Sequence, residues 1–114
     1  MHFYRFPLKD YLALASHLHC RPLEDLTFRR LIDEYLYTEK ALPDDLPALA
    51  RKTGMDEAIV KLVLKEFFVL AFDGEGGSCW RLDFADEEIE RVKEVTKRQK
   101  EKADKRWSRS TSSN

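Results

Sequence analysis

Apolar residues recur three and four apart along most of this chain, and the pattern breaks at prolines, at glycines and in one stretch of period two. The opening alternates aromatic and basic residues up to Pro7. Leu8, Tyr11, Leu12, Ala15 and Leu18 then fall at helical spacing, which predicts an extended start and one or two helical turns. A longer helix is expected from Pro22, because proline suits the first turn and Glu24 and Asp25 face the positive end of the helix dipole. Its buried stripe is Phe28, Leu31, Ile32, Tyr35 and Leu36. Arg29 with Asp33, and Arg30 with Glu34, sit four apart and can pair along its exposed side.

The helix is expected to break at Pro43, after which Asp44 or Asp45 can cap a short helix from about Leu46 to Lys52, with Pro47 in its first turn. Gly54 suits the left-handed backbone that ends such a helix, and Asp56 can cap the next by accepting a backbone hydrogen bond. From Asp56 to Phe68 the residues Ile59, Val60, Val63, Leu64 and Phe67 make a core face. Glu57, Ala58, Lys61 and Lys65 are left outside, with Leu62 at the margin. The two short helices and the three-residue turn at Thr53-Gly54-Met55 form a helix-turn-helix.

The period then changes to two: a strand near Val69–Phe72, a glycine-rich turn over Asp73–Ser78 and a strand near Cys79–Phe84. Gly74, Gly76 and Gly77 do not stand between a parallel strand and a helix, so they read as a turn and not as a phosphate loop. A last helix follows from Asp86, acidic at its start and basic towards its end. Its apolar stripe fades after Ile89, Val92 and Val95, so its second half is expected to project into solvent. The expected fold is mainly α with a small β-hairpin, a winged helix-turn-helix with an extended C-terminal helix. Its parts are a body over 1–90, a basic helix or arm over 91–107 and a flexible tail over 108–114.

Charge changes this picture more than composition does. The chain of 114 residues has 20 basic and 21 acidic side chains. Residues 1–90 hold 11 basic and 18 acidic groups, net −7, and residues 91–114 hold 9 and 3, net +6, which together give the overall −1. An acidic body with a basic arm is the electrostatic pattern that meets a polyanion or another acidic surface. No apolar run approaches the roughly 20 residues of a membrane helix, and the start lacks the apolar core of a secretory signal, so a cytoplasmic protein is expected.

Candidate chemistry is sparse. Cys20 and Cys79 read as small buried hydrophobes and not as a disulfide. His17, Leu18, His19 and Cys20 suggest a metal site, but residues two apart face different sides of a helix and no second ligand cluster completes a tetrahedron. His17 beside Cys20 lacks a third, orienting group for nucleophilic catalysis. Asp44 with Asp45, and Asp86 with Glu87 and Glu88, read as charges at helix N-termini. No enzyme, cofactor or metal is expected.

The segments "FYRFPLKDYLALASHL", "EDLTFRRLIDEYLYTEKALPDDLPALAR", "VLKEFF", "WRLDFADEEIER" and "KADKRW" resemble the N-terminal domain of unknown function of YdaU-like prophage proteins, over almost the whole chain. Leu26 and Thr27 depart from a Gly-Ala pair common in that family, and many relatives continue with a linker and further segments. The resemblance implies a winged-helix-like fold, a phage or prophage setting beside DNA replication genes, and no catalytic residue.

The expected function is a phage DNA-replication accessory that binds DNA with weak sequence specificity. Lys61 and Lys65 would offer the second helix of the helix-turn-helix to DNA, and Lys93, Lys97, Arg98, Lys100, Lys102, Lys105, Arg106 and Arg109 would supply most of the phosphate contacts. The alternative is a non-enzymatic module that docks a replicative helicase, a helicase loader or another copy of itself. Trp107, Arg29, Arg30 and the aromatics near Phe3 and Tyr4 are its contact candidates. A transcription regulator is a third reading, disfavoured because the exposed helix face lacks the guanidinium and amide groups that read base edges.

Overall fold

The computed structural model describes residues 4–72 and 74–112, and of residues 19, 20 and 105–112 only the backbone. Helix α1 (Leu8–Ala15) runs into a 3₁₀ segment (Ser16–Cys20) and is followed by α2 (Pro22–Thr38), β1 (Leu42–Pro43), α3 (Leu46–Thr53), α4 (Glu57–Phe67), β2 (Val69–Phe72), β3 (Ser78–Arg81) and α5 (Asp83–Ser112). The chain is mainly helical, with one small antiparallel sheet of strand order β1-β3-β2.

The core is built where the helical stripes converge. All five residues of the α2 stripe are buried. Phe28 lies at the centre, stacked on Phe67 at 4.3 Å between ring centroids and touching Tyr11 and Phe68 at 5.1 and 5.7 Å. Val60, Val63 and Leu64 of α4 close over it. Thr27 and Thr53 are also buried, and each hydroxyl donates to the carbonyl four residues back, Leu23 at 2.6 Å and Leu49 at 2.8 Å, so neither leaves a polar group unsatisfied. From α1 only Tyr11 and Ala15, with Leu18 beyond, reach the core; Leu8 and Leu12 are exposed. A helix of two turns touches the body along one narrow line, and residues off that line remain in water.

Several local expectations are corrected. Helix α2 ends at Thr38, before Pro43, because Glu39 takes the left-handed conformation (φ 58°) and turns the chain back. That reversal lets Leu42 and Pro43 pair with Trp80 and Cys79, a third strand where the sequence suggested only a hairpin. Pro43 is tolerated because β1 is an edge strand. Strand β3 stops at Arg81 and α5 begins at Asp83, so Phe84 is helical. Arg29 bonds Asp25 at 3.3 Å, not Asp33, and Arg30 donates to the Thr53 carbonyl at 2.5 Å, not to Glu34, whose partner is Lys52 at 3.2 Å.

The helix caps divide the work of the acidic pairs. Asp45 caps α3 by accepting from the Ala48 amide at 3.2 Å. Asp44 instead accepts from Ser78 Oγ at 2.7 Å and Trp80 Nε1 at 3.1 Å, which fixes the start of α3 to β3. Asp56 stands at the N-cap of α4, but its side chain accepts no capping bond. Asp86 accepts from the Tyr35 hydroxyl at 2.5 Å and from Arg81 at 3.3 Å, while the same Tyr35 oxygen accepts from the Leu82 amide at 3.4 Å. Burial, then the bond to Asp86, pushes the Tyr35 hydroxyl pKa up. Glu88 accepts from the Arg5 amide at 2.9 Å and pairs with Arg91, and the Arg91 hydrogen bonds hold its carboxyl below the usual range.

Gly54 closes α3 with φ 69°, donating to the Ala50 carbonyl at 2.9 Å. A Cβ there would lie 3.4 Å from Arg30 Nη1, the group that holds the end of α3. Gly54→Val should therefore cost about 1–3 kcal/mol, since a β-branched residue in left-handed backbone is strained. Denaturant titration checks this, and an unchanged midpoint would show that the turn tolerates the side chain.

Candidate nucleic-acid interface

Two surfaces carry the cations singled out by the sequence. On α4 the stripe at 60, 63 and 64 faces the core, and helical periodicity forces Glu57, Ala58, Lys61, Leu62 and Lys65 outward; all five are exposed. The second surface is the outer part of α5. Ala85, Ile89 and Val92 pack on the body, whereas every residue from Lys93 to Asp104 is exposed. Val95, expected to continue the stripe, is 39% exposed. A 30-residue helix is about 45 Å long at about 1.5 Å per residue. Its outer part draws the molecule out to 66 × 36 × 21 Å, with a radius of gyration of 18.4 Å where a compact chain of this length would have about 13 Å.

Pairing separates structural cations from available ones. Arg21, Arg29, Lys52, Arg81 and Arg91 each form an ion pair with a carboxylate. Lys61, Lys65, Lys93, Lys97, Arg98, Lys100 and Lys102 form none among the described residues. Lys105, Arg106 and Arg109, with the contact candidate Trp107, have side chains outside the described set, as does Cys20, and Phe3 lies outside it altogether. Unpaired cations in water are the groups that can exchange counterions for phosphates without first breaking an internal bond.

The Arg29 guanidinium lies 4.6 Å from the Tyr11 ring centroid and 5.5 Å from that of Phe6, so it is held against the core by cation-π contacts as well as by Asp25. Arg30 is anchored on the α3 terminus. His17 bonds Glu66 of α4 at 2.9 Å and lies beside Phe67. Cys79 is a free, half-buried thiol on β3. Among the described residues no three His, Cys, Asp or Glu side chains gather as a metal-ligand group, and no helix is long and apolar enough to cross a membrane.

Sequence reasoning missed two features. The hairpin carries exposed apolar side chains, with Val69 64% and Phe72 77% exposed, and Leu62 on α4 is 55% exposed. Period-two reading assigns alternation but not which face lacks a partner. A groove between α2 and α3, lined by Arg30, Asp33, Glu34, Tyr37, Arg51, Lys52, Thr53 and Gly54, was also missed. Tyr37 falls off the buried stripe of its helix, and an aromatic there was the available signal.

No curated protein and no solved structure matches the chain. A family model described as "Protein of unknown function (DUF1376)" matches residues 2–90. That span is most of the chain and takes in every element from α1 to the first turns of α5, so the chain belongs to the DUF1376 family.

Proposed function

We propose that this chain is a non-enzymatic, winged-helix DNA-binding accessory of phage or prophage replication, acting in the host cytoplasm with little sequence preference. The observation that carries the reading is the concentration of available cations on α4 and outer α5: Lys61, Lys65, Lys93, Lys97, Arg98, Lys100 and Lys102 stand in water with no ion pair among the described residues, whereas Arg21, Arg29, Lys52 and Arg81 of the body are held by carboxylates. The order α2, β1, α3, α4, β2, β3, with β3 between its partners, is consistent with a winged helix and supports reading α4 as the helix offered to DNA. The resemblance to YdaU-like prophage proteins supports the replication setting. Weak sequence preference follows from α4, whose exposed face offers lysines and no amide or guanidinium fork for base edges.

The exposed Leu62, Val69 and Phe72 favour a second reading, in which α4 and the hairpin dock a replicative helicase, a helicase loader or another copy of this chain. One double variant separates the two. Lys61→Glu with Lys65→Glu should leave melting nearly unchanged, lower duplex affinity about tenfold or more, and flatten the slope of log affinity against log salt by about two. Unchanged DNA binding with altered self-association or helicase capture, measured by sedimentation and pull-down with purified components, would favour docking.

A further inference from the structure

The groove between α2 and α3 combines features that neither α4 nor α5 has. Tyr37 is 82% exposed, the most exposed large apolar side chain among the described residues, on the last full turn of α2. A tyrosine kept in water forgoes the burial that favours aromatic residues inside, and its free ring face is a stacking platform. Across the groove, the last turn of α3 presents Arg51, which is exposed and makes no ion pair among the described residues. The remaining charges are partly committed: Lys52 neutralises Glu34 at 3.2 Å, and Arg30 is fixed on the Thr53 carbonyl at 2.5 Å with its charge still facing the groove. Asp33 is the carboxylate in the lining that has no hydrogen bond or ion pair among the described residues. The groove is a shallow, open depression that offers about 610 Å³, room for a nucleotide unit on a continuing strand.

We infer that this groove holds one nucleotide of single-stranded DNA, with the base stacked on Tyr37 and the adjoining phosphate at Arg51. The charge distribution sets the orientation. Asp33 repels phosphate from the α2 wall beside Tyr37, and Arg30 and Arg51 attract it towards the end of α3. Duplex DNA cannot use the platform, because its bases are stacked on each other and unavailable to a side chain. The site therefore makes the chain discriminate single strands from duplex, which phosphate attraction by α5 alone does not. It rests on the DNA-binding reading and specifies which form of DNA that reading concerns.

The test is a fluorescence anisotropy titration of the full chain against a labelled oligothymidylate and a duplex of equal length, at one salt concentration, with thermal melting of each variant as the folding control. Tyr37→Ala should weaken single-strand binding about ten- to a hundredfold, with duplex binding unchanged. Tyr37→Phe, which keeps the stacking face, should restore most of the loss. Arg51→Gln should weaken single-strand binding by a smaller factor and flatten its log-log salt slope by about 0.7. Equal binding of oligothymidylate by native chain and Tyr37→Ala would overturn the groove while leaving DNA binding by α4 and α5 standing. An equal loss on both DNAs would overturn it as well, since the platform would then not be selective. Failure of the native chain to bind either DNA would overturn both readings.

Discussion

Exchanging Lys93, Lys97, Arg98, Lys100 and Lys102 for glutamine should lower duplex DNA affinity about a hundredfold or more at low salt, and flatten the log-log salt slope by as much as about 4.5. The melting transition should hardly move. All five side chains are exposed, none pairs with a carboxylate among the described residues, and glutamine keeps a helix nearly as well as lysine. Each phosphate neutralised by such a cation releases condensed counterions, so losing five contacts removes most of a nonspecific interaction. Substitution is a cleaner probe than truncation at Glu90, which would delete Val92, a residue packed on the body. Affinity and salt slope both equal to those of the native chain would show that α5 is not the phosphate-binding surface.

The largest loss of stability is expected from Phe28→Ala. Phe28 is fully buried, and its ring meets those of Tyr11, Phe67, Phe68 and Phe84, drawn from α1, α4, the chain after α4, and α5. Removing it opens a cavity that three separate segments would have to close together. Such a cavity relaxes poorly, and the cost should be about 3–5 kcal/mol, a large share of the stability of a domain this size. Denaturant unfolding followed by far-ultraviolet circular dichroism reads the shift in midpoint. A change below about 1 kcal/mol would mean that the ring is not at the centre of the core.

The helices were legible because their stripes repeat: Phe28 to Leu36 and Val60 to Leu64 mark buried faces at a period that admits one structure, and Gly54 marks the turn between α3 and α4. Strand β1 was not legible. Two residues are too few to show alternation, and Pro43 argues against a strand until its edge position is known. The partners of Arg29 and Arg30 were misassigned for a related reason. Spacing of four along a helix says which side chains can meet, whereas the pull of the Tyr11 ring on one guanidinium and of a helix C-terminus on the other comes from segments far away in sequence. Lys61, Lys65 and the α5 cations were legible as exposed because each lies off an apolar stripe. That they are unpaired depends on where every carboxylate ends up, and that is a property of the folded surface.

The continuity of α5 bears on the thermodynamics of capture. Ala85, Ile89 and Val92 are packed on the body by the same helix that carries Lys93 to Lys102, with no linker between the anchored and the free part. A charged segment that had to order itself on contact would lose roughly 1–2 kcal/mol of backbone entropy per residue, enough to erase much of its electrostatic attraction. Here that loss is already met during folding, so under the proposed reading attraction to a polyanion would be converted into affinity with little set against it. Linkage works in the other direction too: a polyanion that binds only the folded helix raises the unfolding temperature of the body to which that helix is fastened.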